Sequence, residues 1–274
     1  MITKKPKVVL IYVLLIMLSV VYFLPYYLIA TAAFKRPVEI FSLDKLVFFQ
    51  PTLINFAKAV EEYQVHLALR NSVIVMIPTT ILVVVISLLA AYPLARFKFR
   101  GREALALDIL SLRMMPAVVT VIPLFLLASA MKLTNTYWIL ILVDTVFNLP
   151  LAIWLMKTFI EDVPIEIEEA ASIDGAGRLT TLLKIVFPVL ASGMIATAVL
   201  TAIFVWNEFL FAVVLTGGIE TKTLPVVAAS AMKTRYIAWG DACAIGLIAT
   251  LPLLILFAFV QKYLLRALTF GLVR

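Results

Sequence analysis

Cysteine and histidine are nearly absent from this chain of 274 residues. One cysteine, Cys243, cannot form an internal disulfide, and one histidine, His66, excludes a His-pair metal site. Charge is scarce as well: 14% of residues are charged, where soluble domains carry about 25%. None of the nine glycines opens a GxxxxGK[ST] pattern, so no phosphate-binding loop is encoded. No nucleophile–base set stands out, which argues against a membrane enzyme. The first apolar run is too long for a leader and lacks a small-residue cleavage site, so it reads as a retained span. Internal repeats and low-complexity tracts are missing too.

What the chain does have is apolar length. Hydrophobic residues make up 64% of it and the mean hydropathy is +1.10. A helix needs about 20 apolar residues to cross a bilayer. Six runs meet that test: 8–34, 71–95, 104–131, 137–159, 189–215 and 242–260. The fold class is therefore all-α, a polytopic membrane protein of six transmembrane helices. An even number of spans places both termini on one side. Lys4, Lys5 and Lys7, then Arg96, Lys98, Arg100 and Arg102, then Lys262, Arg266 and Arg274 all fall on that side, which the positive-inside rule makes the cytoplasm. The net charge of +7 points to anionic lipid rather than nucleic acid. Residues 1–34 form a tail and first span, 35–68 an outer segment with a short amphipathic helix near 56–63, 69–265 a core, and 266–274 a cytoplasmic tail. The outer stretch 216–240 reads as a re-entrant or surface loop.

Within the core, the loop at 160–188 departs from everything around it. Asp162 and Pro164 open a helix whose first turns carry Glu166, Glu168 and Glu169, acids that suit a helix N-terminus. Ala170, Ala171 and Gly175 follow as small surfaces, and Gly175 and Gly177 end the helix. A second helix, 178–187, leads to Pro188 and the next span. A merely solvated loop has no need for small apolar residues between charges. The pattern reads as an amphipathic helix offered to a partner's cleft.

Glu169-Ala170-Ala171, Gly175, Ile185 and Phe187-Pro188 match the signature of ABC importer permease subunits, with Phe187 where leucine is usual. Arg113-Met114-Met115-Pro116, Asn148-Leu149-Pro150 and Trp206-Asn207-Glu208-Phe209 resemble the carbohydrate-uptake branch, MalG-like, over essentially the whole chain. That resemblance implies a type I importer architecture in the cytoplasmic (inner) membrane of a bacterium or archaeon. The chain would be half of a heterodimeric pore with a MalF-like second permease. A cytoplasmic ABC ATPase dimer would bind ATP and Mg, leaving this chain non-catalytic and without a cofactor of its own. An extracytoplasmic solute-binding protein would dock at 35–68 and 216–240. Glu168, Glu169, Ala170, Ala171, Asp174, Gly175, Ile185 and Pro188 would carry ATPase coupling, with Glu169 paired to a basic residue of the ATPase. The 266–274 tail would reach the ATPase interface.

Charges inside a bilayer cost roughly 2.5–3.5 kcal/mol each on insertion scales, and Arg113, Asp144 and Glu208 lie within the runs. With Asn148, Trp206 and Asn207 they are candidates for a sugar path, since hydroxyl-rich solutes need hydrogen bonds and aromatic faces; Trp154 could add a further aromatic face. The equal alternative is structural pairing, with Asp144 or Glu208 facing Arg113. Pro25, Pro78, Pro116, Pro123, Pro150 and Pro252 favour kinks. Cys243, Met114 and Met115 read as packing residues. A competing function is an ion-coupled secondary carrier titrating Asp144 or Glu208; such a carrier has no use for the 160–188 loop.

Overall fold

The protein is described from a computed structural model, which covers residues 6–232 and 238–270; for Pro6, Lys7, Phe259 and 262–270 the backbone alone is described. Every regular element among the described residues is helical. Four helices are long and apolar enough to cross a membrane, and six spans result if each of two bent pairs counts as one.

The chain divides into two units, residues up to 66 with 227–251, and 67–226 with 252 onward. In the first, helix α1 (Pro6–Ala33) runs unbroken through Pro25, and its apolar side chains from Val8 onward are open to the surroundings for most of its length. Two short 3-10 turns, Pro37–Glu39 and Leu43–Lys45, follow before helix α2 (Ile54–Glu61). Buried Asn55 fixes this outer segment by donating both amide hydrogens, to the carbonyls of Ala33 and Lys35 at 2.8 Å each. Gly240 faces the same amide so closely that a Cβ there would sit 2.7 Å from it.

The second unit opens on α3 (Val65–Arg96), whose start belongs to the first. The run read as one span over 104–131 is two helices, α4 (Arg102–Ser111) and α5 (Ala117–Ala130), bent by 84°. Pro116, at the N-cap of α5, accounts for the break: a proline biases the residue before it away from helical backbone, and Met115 is extended. Helix α6 (Tyr137–Glu161) is the most enclosed span and packs against α4 and α10 (Ala191–Trp206). Gly193 lets α10 close on α6, since its missing Cβ would stand 2.5 Å from the Phe159 ring. Between them lie α7 (Ile165–Ile173), α8 (Arg178–Thr181) and α9 (Phe187–Val189). The expected fifth span, 189–215, also breaks: α10 stops at Trp206 and α11 (Leu210–Leu215) starts afresh. Helices α12 (Leu224–Ser230) and α13 (Trp239–Phe270) complete the chain, so the 216–240 stretch contains a short helix within its described part.

Two cores hold this unit. One gathers Leu140, Val143, Phe211, Ala212 and Leu215 from α6 and α11. The other gathers Leu88, Ala91, Ile153, Met156 and Ile160 with Leu182 and Val186, which the 162–188 segment contributes.

Candidate functional site

Helix α7 is short because its ends are specified. Pro164 stands at the N-cap with extended backbone, and Glu166 and Glu168 occupy the first turn. At the other end Gly175 takes φ +83° while its N–H bonds Ser172 O at 3.1 Å and Ala176 N–H bonds Ala171 O at 3.0 Å. These paired bonds are a Schellman cap, which favours glycine for its left-handed backbone. A Cβ at Gly175 would meet nothing within 4 Å, so conformation rather than crowding selects the residue. The second helix is not continuous. After α8 comes a π turn, Leu182–Val186, in which Phe187 N–H reaches back to Leu182 O. Pro188 accounts for it, because a regular turn would press its ring on the Lys184 carbonyl.

The signature residues divide between two faces. Glu169, Ala170, Asp174, Gly175 and Pro188 are exposed, Ile185 is half-buried, and Glu168 and Ala171 are buried. Glu166, exposed Asp162 and the side chains of Ile165, Ile167 and Ile173 join the outer face, Ile173 at 87% exposure. An apolar surface set among carboxylates is therefore presented outward. Glu168 turns inward, toward its own chain. Its carboxylate accepts Arg96 Nε at 2.6 Å and the Tyr92 hydroxyl at 2.7 Å, both from the end of α3. Arg96 Nη2 also donates to Val163 O at 2.7 Å, and Arg178 lies 4.7 Å over the Phe97 ring.

The polar residues of the spans are arranged differently. Arg113 sits in the 3-10 turn Leu112–Met114 at the bend between α4 and α5. It donates to Phe147 O at 2.7 Å and lies 4.8 Å over the Phe204 ring. The expected pairing with Asp144 or Glu208 is absent among the described residues. Arg113 is instead taken up by a carbonyl of α6 and a ring of α10. Glu208 caps α11, accepting Phe211 N–H at 2.7 Å and Ala212 N–H at 2.9 Å. Asp144, 3% exposed, is close enough to Glu208 to feel its charge. Asn148 donates to Asp144 O at 2.8 Å and leaves its buried Oδ1 without a partner, in a crevice of about 10 Å³ shared with Thr197, Thr201 and Phe204. Asn207 is exposed and its side chain bonds, among the described residues, Ile203 O alone at 2.8 Å, while Trp206 is buried in the α10 end. Arg113 and Asn148 thus meet around Phe204; Asp144 and Glu208 form a second group.

Residues 83–270 match the family described as binding-protein-dependent transport system inner membrane component. The chain belongs to that family. It is 35% identical over 229 residues to the trehalose/maltose transport system permease protein MalG of Thermococcus litoralis, covering 82% of each chain. It is 30% identical to the melibiose/raffinose/stachyose import permease protein MelC of Bacillus subtilis, over 92% of each. In fold it resembles a bacterial ABC transporter involved in import of the polysaccharide alginate, with TM-score 0.78, 20% identity and coverage of 96% of this chain and 99% of that one. A bacterial alginate ABC transporter in complex with an alginate pentasaccharide-bound periplasmic protein is also similar, with TM-score 0.65, 14% identity and 94% of each chain covered. Membership in this family removes the reason for an ion-coupled carrier.

In this permease the sequence reading passed over Tyr92 and Arg96. Arg96 read as one more basic residue of a loop-side cluster. Their i, i+4 spacing, which puts both on one face of α3, was the available signal. The 266–274 tail lies outside the residues whose side chains are described.

Proposed function

We propose that this permease is half of the pore of an ATP-driven importer for a sugar or sugar-like solute, and that α7 is its contact with a separate cytoplasmic ATPase. The observation that carries the reading is the outer face of α7, with Ile165, Ile173 and exposed Glu169 above a buried Glu168. Apolar side chains among carboxylates fit a cleft with a basic rim. ATP and Mg would be held by that ATPase. A second permease, a solute-binding protein on the outer face and cytoplasmic termini complete the assembly. The sugar class is supported by the names of the relatives, and their range leaves the particular solute to experiment.

Glu169→Lys and Gly175→Leu test the contact. Each should release the ATPase in pull-down from membranes and abolish uptake, while the binding protein keeps its affinity for solute. Retained association together with retained uptake refutes the docking role. Orientation has its own check. A cysteine at Ser172, in a Cys243→Ala background, should react with a membrane-impermeant maleimide in inside-out vesicles and stay unlabelled in intact cells.

A further inference from the structure

We infer that Tyr92, Arg96 and Glu168 form a latch that makes α3 a second arm for motion of α7, so that Arg96 and Tyr92 are positioning residues for coupling. The inference rests on the ATPase-contact reading above and deepens it. Chain connectivity already ties α7 to α10 through the 178–189 helices. The latch adds a link that connectivity does not supply. Glu168 and Arg96 side chains are 9% and 10% exposed, and their charged atoms are 2.6 Å apart. Arg96 stands in the last turn of α3, where a cation is favoured by the helix dipole. It holds three elements at once: its own helix, Val163 in the turn before α7, and Glu168 in α7. Tyr92, one turn back, adds a second donor to the same carboxylate at 2.7 Å. Arg178, stacked on Phe97 at 4.7 Å, ties the far side of the segment to the residue after α3.

Glu168 and Glu169 are adjacent, yet the first is buried and the second exposed, so one carboxylate can grip the partner while the other grips α3. A buried pair of this kind resists separation, because parting leaves each charge desolvated without its counterion. A push on α7 is therefore delivered to α3 as well as to α10.

The test uses the whole complex, with ATPase, second permease and binding protein, in proteoliposomes. The variants are Arg96→Gln, Tyr92→Phe and the exchange Arg96→Glu with Glu168→Arg. Two quantities are read. One is uptake per ATP hydrolysed, for whichever of radiolabelled maltose, trehalose, melibiose or raffinose the unaltered complex takes. The other needs no sugar: the spin-label distance between Ile81→Cys on α3 and Ser172→Cys on α7, in a Cys243→Ala background, without nucleotide and with ATP–vanadate. The unaltered latch keeps that distance fixed. Arg96→Gln should retain the ATPase and its hydrolysis, lower uptake per ATP by about tenfold, and let the distance change with nucleotide. Tyr92→Phe should do the same more weakly, and the exchange should recover part of the ratio. An unchanged ratio and a fixed distance in Arg96→Gln overturn the latch, as does loss of ATPase binding that the exchange does not restore. If Glu169→Lys releases the ATPase while Arg96→Gln changes nothing, the latch alone has failed. If Glu169→Lys leaves the ATPase bound, the contact reading fails.

Discussion

Glu168 and Asp144 are both buried carboxylates on helices of the same permease, and their surroundings differ sharply. Glu168 receives Arg96 at 2.6 Å and Tyr92 at 2.7 Å. Asp144 has no ion pair among the described residues, and its charged neighbour is another carboxylate, Glu208. Burying a charge is costly unless a partner repays it. At Glu168 the chain supplies the partner, which marks a built structural joint. At Asp144 it does not, and an ionisable group left unpaired within a span is by default a functional one. The contrast separates the two candidate regions: the 162–188 segment is supported from below by its own chain, while the mid-span group has polar capacity left over. Asn148 Oδ1, buried without a partner, belongs to that remainder.

The largest effect expected from the contrast is at Arg96. Arg96→Ala strands Glu168 as an uncompensated buried charge and should destabilise the protein by about 3–5 kcal/mol, read as a lower melting midpoint in detergent and reduced yield. Asp144→Asn keeps the shape of a carboxyl group that has no ion-pair partner among the described residues and should leave that midpoint unchanged or slightly raised. If Asp144→Asn destabilises as much as Arg96→Ala, Asp144 has a structural partner and the contrast breaks.

Glu208 lies between the extremes. It is half of the mid-span group, yet two backbone N–H donors hold it. Glu208→Ala uncaps α11 and should cost about 1–2 kcal/mol, with Glu208→Gln recovering much of it. Faster amide exchange at Phe211 and Ala212, confined to that helix end, is the accompanying signature. A loss of uptake in Glu208→Gln without loss of stability would move Glu208 to the solute path.

The long spans were legible because apolar length is a strong signal: 137–159 was read where the helix is Tyr137–Glu161, and 71–95 where it is Val65–Arg96. A kink at Pro116 was legible but not a break of 84°, and the break at 207–209 was not legible at all. Hydropathy averages through a bend, so 104–131 looked like one span although Arg113 sits at its corner. The signature residues of the 162–188 segment were legible as a set, but not the division between its faces. Glu168 and Glu169 are both acidic and adjacent, and only the α3 end tells them apart. Likewise Arg113 carried a charge but no sign that Phe147 O and Phe204 would take it up.

The smallest expected change is the most discriminating for the solute path. Asn207 is exposed, follows α10, and among the described residues its side chain bonds Ile203 O of the preceding helix alone. Asn207→Ala should shift stability by less than about 0.5 kcal/mol, because no other element depends on its amide. That makes it a clean probe. If the pore runs past the α10–α11 break, losing a hydrogen-bonding group there should raise the KM for uptake severalfold, with the melting midpoint, ATPase association and basal hydrolysis unmoved. Unchanged uptake would remove Asn207 from the path and leave the buried Asp144 and Asn148 as the place to look. A raised KM would instead put the solute at the α10–α11 break, where an exposed amide stands beside a capped helix end.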